Sequence, residues 1–196
     1  MANFNEAYLI TSNIEGKYSN DPSDPGGETY KGIARNKNPY WEGWIILDSY
    51  KTQPNFPKNM YNDKQLDSKV ESFYKTKYWD INNLDEFTSQ TIANEMYDTG
   101  VNMGVGKAAH FLQTTLNVLN KNGTIYPDIP EDGKVGPNTL QTLNTCIGRV
   151  GEEVIYKILN ILQGSHYIDI MVKNPTQEKY TLGWFSRVTI LKNNVQ

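Results

Sequence analysis

The sequence predicts a mainly α-helical fold with a short β element after the first helix. Two observations carry this. Apolar residues recur at three- and four-residue steps along most of the chain, which is the period of helices that bury one face. The segment from Asp21 to Lys31 breaks that period and is rich in Pro and Gly, so it reads as a loop or a short hairpin.

Taken in order, Phe4, Tyr8 and Ile10 mark an opening helix that ends near Gly16, where glycine permits the left-handed turn that stops helices. After the Asp21 to Lys31 segment, Lys37 to Pro57 reads as one short helix and an irregular connection, because two prolines close a Trp- and Ile-rich stretch. Leu66, Val70, Phe73, Tyr74 and Tyr78 form the stripe of a third helix, and Ile92, Met96 and Tyr97 a fourth that runs to Gly100. From Lys107, Ala109, Leu112, Leu116 and Leu119 predict a central helix packed on all sides and ended by Asn120-Lys121-Asn122-Gly123. Pro137 opens the next helix at a position proline favours, with Leu140, Leu143 and Ile147 behind it and Gly148 closing it. Val154, Ile155, Ile158, Leu159 and Leu162 continue the pattern, and Leu182, Trp184, Phe185, Val188 and Ile190 predict a last buried segment.

The composition excludes several function classes. A net charge of -3 and a pI near 5.4 argue against nucleic acid as the main partner, because phosphate binding needs a clustered basic surface. The single Cys146 cannot make an intramolecular disulfide, and His110 and His166 are too few for a histidine metal site, so no metal and no cofactor are expected. The start Met-Ala-Asn-Phe-Asn-Glu lacks a basic segment followed by an apolar run, and no stretch approaches a membrane span; neither a signal peptide nor membrane insertion is expected. Gly104-Val105-Gly106-Lys107-Ala108-Ala109 matches a loose dinucleotide fingerprint, but helical sequence precedes it where a strand is needed. Its glycines are read as close helix contacts at a bend. Asp132-Gly133-Lys134 reads as a turn before the Pro137 helix, since the spaced oxygen ligands of a calcium loop are missing.

The chemistry-bearing candidates sit around the first turn. Glu15 stands where the opening helix meets Asn20-Asp21-Pro22-Ser23-Asp24-Pro25-Gly26-Gly27, and Asp24 follows it by nine positions, a spacing that a helix end and a turning loop can fold into one cleft. Cleaving a glycosidic bond requires a protonated carboxylic acid for the leaving oxygen, and usually an ionised carboxylate that activates water or steadies positive charge. The plain alternative is that Glu15 is a solvated helix-end residue and Asp24 a turn former.

Ile14-Glu15-Gly16-Lys17-Tyr18, followed by Asp21-Pro22-Ser23-Asp24-Pro25-Gly26-Gly27-Glu28-Thr29-Tyr30-Lys31-Gly32-Ile33, resembles the signature of the glycoside hydrolase 108 family of N-acetylmuramidases. Tyr78-Trp79-Asp80, Asp98-Thr99-Gly100-Val101-Asn102-Met103-Gly104 and Asp132-Gly133-Lys134-Val135-Gly136-Pro137 follow in the family's order, so the likeness extends over about 170 residues. One departure is Lys17, where the family usually has glycine; facing away from Glu15, it is expected to point to solvent.

The resemblance implies a lysozyme-like helical fold, with residues 1–92 as the catalytic region and 93–196 as a predicted peptidoglycan domain packed with the first as one body. It implies hydrolysis of the β-1,4 bond between N-acetylmuramic acid and N-acetylglucosamine, with Glu15 as general acid, Asp24 as its partner and Thr29 helping to hold the water. Tyr30, Lys31, Trp79 and Asn102 are the candidates for lining the substrate groove. The expected partner is a peptidoglycan glycan strand, met by a monomer that reaches the wall by a holin-type or non-classical route. Two rivals remain at this level: a lytic transglycosylase, which uses a lone Glu, and a non-catalytic wall-binding or secretion-associated protein of the same fold.

Overall fold

The computed structural model describes residues 1–12, 17–21 and 24–189. Its elements are α1 (Phe4–Ser12), β1 (Tyr18–Ser19), β2 (Thr29–Tyr30), β3 (Ile33–Ala34), α2 (Gly43–Tyr50), α3 (Lys64–Tyr74), α4 (Gln90–Met103), α5 (Val105–Leu119), α6 (Pro137–Val150), α7 (Glu152–Lys173) and α8 (Thr181–Phe185). The fold is mainly helical with a short β element after the first helix, as the periodicity predicts. The chain divides into two compact units, one of Met1–Ala7 with Tyr78–Gln196 and one of Tyr8–Lys77.

The smaller unit is built on an antiparallel sheet in the order β1-β2-β3, in which Tyr18 faces Tyr30 and Tyr30 faces Ile33. Residues 24–28 of the Pro- and Gly-rich segment thus lead into a two-residue strand. α2 and α3 pack together beside it through Trp44, Leu47, Leu66, Val70 and Tyr74, all buried. The N-terminus of α3 is closed by Asp63, whose side chain accepts the Leu66 N–H at 2.8 Å. The stripe predicted to run through Tyr78 leaves the α-helical path at Tyr74 and passes into a π-helical turn, Lys75–Trp79.

In the larger unit α4 packs on α5 and α7, and α5 also on α6. Ala108, Ala109, Leu112 and Leu116 are fully enclosed, yet Val118 is 64% exposed, so α5 keeps one wet edge and is not packed on all sides. α4 runs past Gly100 to Met103, and the bend into α5 is made by Gly104 at φ +93°. Gly106 lies against the Gly133 turn so closely that a Cβ on Gly133 would sit 3.0 Å from the Gly106 carbonyl oxygen. The glycine pattern thus marks the bend, but its contact is with a turn and not a helix, and Gly104 has open space where a Cβ would go.

Two further features differ from the reading of the sequence. α6 continues through Gly148 and stops at Gly151, whose φ of +93° provides the left-handed exit, because a helix interior tolerates one glycine at a cost of only about 1 kcal/mol. The last segment is not a buried stripe: Leu182 is 88% exposed, while Trp184 and Phe185 turn towards Tyr167 with ring centroids 5.0 Å and 6.1 Å away. Ile190 lies outside the described residues.

Candidate active site

Of the predicted site residues, Glu15 lies outside the described residues; Thr29 and Tyr30 form β2 of the smaller unit, Lys31 follows them in a turn, and Asp24 precedes them in another. Asp24 is exposed at the head of a turn. Its Oδ1 accepts the Gly26 N–H at 2.8 Å, its carbonyl accepts the Gly27 N–H at 2.8 Å, and its own N–H donates to the Asp21 carbonyl at 3.0 Å. The two glycines are required here. A Cβ at Gly26 would press on Ala34 and on the Asp24 carboxylate at 3.1 and 3.2 Å, and Gly27, at φ +66°, has Asn36 where a Cβ would go. The Asp-Pro-Gly-Gly sequence therefore holds an exposed carboxylate in one place.

Thr29 is half-buried on β2 and its hydroxyl donates to the Gly27 carbonyl at 3.0 Å, tying the strand to the same turn. Lys31 takes a left-handed φ of 44°, donates its N–H to the Lys17 carbonyl at 2.7 Å, and places Nζ 2.6 Å from Asp67. Lys17 is exposed, with its ammonium 5.2 Å over the Tyr61 ring. Tyr30 is fully enclosed, so it shapes the sheet from behind and presents no surface. Burial and the nearby carboxylates of Asp67 and Asp63 push its phenol well above the usual tyrosine range.

The charge cluster that braces this sheet escaped the sequence reading. Glu28 is 8% exposed, accepts hydrogen bonds from Tyr18 Oη at 2.9 Å and Lys51 Nζ at 2.9 Å, and forms an ion pair with Arg35, whose Nε is 2.7 Å away. Arg35 also grips Asp48 with two bonds, at 3.0 and 2.7 Å, and this pairing holds the Asp48 carboxyl below its usual range. Burial first, and then the bond to Glu28, raise the Tyr18 phenol to about 12. The available signal was strand alternation: Glu28 and Tyr30 share a face, and Tyr30 is the inward residue.

Trp79 and Asn102 belong to the larger unit. Trp79 is fully enclosed; its indole N–H donates to Asp85 at 2.7 Å and its ring meets Phe4 and Tyr97 edge-on, at 5.7 and 6.0 Å. That places it in a core and not on a groove. Asn102 is exposed within α4 and donates to the Asp98 carbonyl at 2.8 Å, so it is neither buried nor a helix cap.

The same unit holds a second polar cluster, which joins Asp98 and Thr99 of the quoted motif to residues far along the chain. Asp98 pairs with Arg187 at 2.6 Å and accepts from Gln163 at 3.2 Å, and Gln163 reaches the Thr99 hydroxyl at 3.2 Å. One turn before Asp98, Glu95 is 6% exposed. Burial chiefly, and then the Asp98 charge, push its carboxyl up to about 8, so it carries its proton at neutral pH. Among the described residues no group of three His, Cys, Asp or Glu side chains could hold a metal ion, and no described helix is long and apolar enough to cross a membrane.

Against this geometry, the model of a family described as "Glycosyl hydrolase 108" matches residues 9–104, and one described as "Predicted Peptidoglycan domain" matches residues 107–189. A solved structure titled "Structure of Brucella abortus SagA" is similar in fold, with a TM-score of 0.60 and 21% sequence identity over 94% of this chain and 88% of that one. No curated protein sequence matches the chain.

Proposed function

From the premise that this chain belongs to the glycosyl hydrolase 108 family and carries a peptidoglycan domain after it, we propose that it cuts the β-1,4 bond between N-acetylmuramic acid and N-acetylglucosamine with Glu15 as general acid. The family and the second domain make it a glycoside hydrolase of lysozyme type, with peptidoglycan as its binding partner. The bond and the residues are the further step.

The observation that carries this step is the Asp24 turn. An exposed carboxylate is held by hydrogen bonds on Oδ1, the carbonyl and the N–H, nine positions after the candidate acid and inside the matched region. In our reading Glu15 gives its proton to the glycosidic oxygen as the bond to the anomeric carbon breaks, and the oxygen leaves as a hydroxyl. Asp24 activates the incoming water or steadies the oxocarbenium-like charge. The Thr29 hydroxyl, fixed by its bond to the Gly27 carbonyl, helps to hold that water through its lone pairs.

Purified sacculi test this directly. Solubilisation that releases reducing muramic acid ends supports hydrolysis, and anhydro ends would assign the chemistry to a transglycosylase. Wall binding with no release would leave a binding protein.

A further inference from the structure

Outside the Asp24 turn, the smaller unit has an open cavity of about 300 Å³ lined by Tyr40, Trp41, Glu42, Lys69, Ser72, Phe73, Thr76 and Lys77. Its wall is aromatic and its rim is polar. Trp41 is half-buried and held on several sides. Its indole N–H donates to the Lys69 carbonyl at 3.2 Å, its ring stacks on Tyr30 at 6.5 Å, and it meets Trp44 and Phe73 edge-on at 4.9 and 6.3 Å. It also lies over Gly43 so tightly that a Cβ there would enter the ring at 2.2 Å. A glycine at the start of α2 is thus explained by the seat it leaves for an indole. Tyr40, next in the chain, is 96% exposed beside this ring.

Such a site suits a sugar. A pyranose presents an apolar face of C–H groups that lies on an aromatic ring, and hydroxyls and an acetamide round its edge that need donors and acceptors. The rim provides both: the hydroxyls of Ser72 and Thr76, the ammonium of Lys77, and the Glu42–Lys69 ion pair. The volume is at the small end for ligand sites and accommodates a single hexosamine unit rather than a folded peptide. Trp41 is already packed in place and loses little side-chain freedom on binding, whereas the exposed Tyr40 closes on the sugar.

We propose that Tyr40, Trp41 and Phe73 form a saccharide subsite that takes one N-acetylhexosamine unit of the glycan strand. The subsite backs onto the catalytic strand, since Trp41 stacks on Tyr30, the neighbour of Thr29. It rests on the hydrolase reading only for the identity of the glycan. The probe is a soluble tetramer of N-acetylglucosamine, titrated while the tryptophan fluorescence of the full chain is followed. Saturable quenching is expected, and Tyr40→Ala and Phe73→Ala should each weaken binding by about tenfold, the loss of roughly 1.4 kcal/mol of contact, with unchanged circular dichroism. Tyr40 is so exposed that its removal cannot unfold the chain. Wild-type affinity in both variants, or no binding by the wild type, overturns the subsite. Sacculus lysis separates the two readings. A chain that lyses walls, with both variants retaining its KM, refutes the subsite and leaves the hydrolase. Tetramer binding that the variants lose, without any lysis, refutes the hydrolase and leaves the subsite.

Discussion

Glu28 in the smaller unit and Glu95 in the larger are both enclosed carboxylates, at 8% and 6% exposure, but their surroundings differ. Glu28 is met by Arg35 and Lys51. Glu95 has no cation close to it among the causes of its shift: Arg187 is spent on Asp98, and the Asp98 charge pushes Glu95 further towards its protonated form. Tertiary structure therefore decides what an enclosed carboxylate meets: Glu28 ties a sheet to two cations, and Glu95 sits in a helical core as an acid.

That contrast raises the question of which carboxyl donates the proton in catalysis, and the largest expected effect answers it. Glu15→Gln should cost at least about a hundredfold in wall lysis, because the amide has no proton to give, while Glu95→Gln should leave turnover close to the wild type. The opposite pair of rates in a turbidity assay would move the acid into the larger unit. Asp24→Asn comes next, with turnover expected to fall by about tenfold or more and the turn preserved, since the amide oxygen can still accept the Gly26 N–H. A wild-type rate would leave Asp24 with the turn alone.

Whether the expected catalytic region folds by itself is tested by a fragment of residues 1–92, which holds the smaller unit and part of the larger. It ends inside α4 and would keep Phe4, Trp79, Leu84 and Phe87 without Met96, Tyr97, Leu112 and Leu116 that enclose the same core, so no cooperative unfolding transition is expected. A soluble fragment with a sharp thermal transition would show that residues 93–196 are not needed.

Smaller effects separate the two carboxylates in stability. Glu28→Gln keeps the shape but leaves Arg35 and Lys51 without their buried anion. Both cations are partly exposed and retain Asp48, so the loss should be about 1–3 kcal/mol, read as a Tm lower by several degrees. An unchanged Tm would reduce the cluster to a surface feature. For Glu95 the folded value of about 8 lies above the ordinary 4.5, so the native state binds more protons than the unfolded state between those values. The stability it gives is complete below about pH 4.5 and is lost as pH rises towards about 8. Thermal melts across that window should show the decline, and Glu95→Gln should flatten it; a variant with the wild-type slope would assign the decline to another group.

The sequence by itself determined the helix positions and the Asp-Pro-Gly-Gly turn, because periodicity and the φ demands of glycine are local properties read over a few residues. Legible at the same range were the bend at Gly104 and the Pro137 start of α6. Boundaries decided by packing were not, which is why α6 passes Gly148 and why Leu182 faces water. Only the tertiary structure decided that Tyr30 and Trp79 are enclosed, that Glu28 meets Arg35 and Lys51, and that Asp98 meets Arg187 across 89 positions. The physical reason is that an aromatic ring or a carboxylate has the same local signature whether it faces solvent or a core. Its role follows from what the rest of the chain sets opposite it.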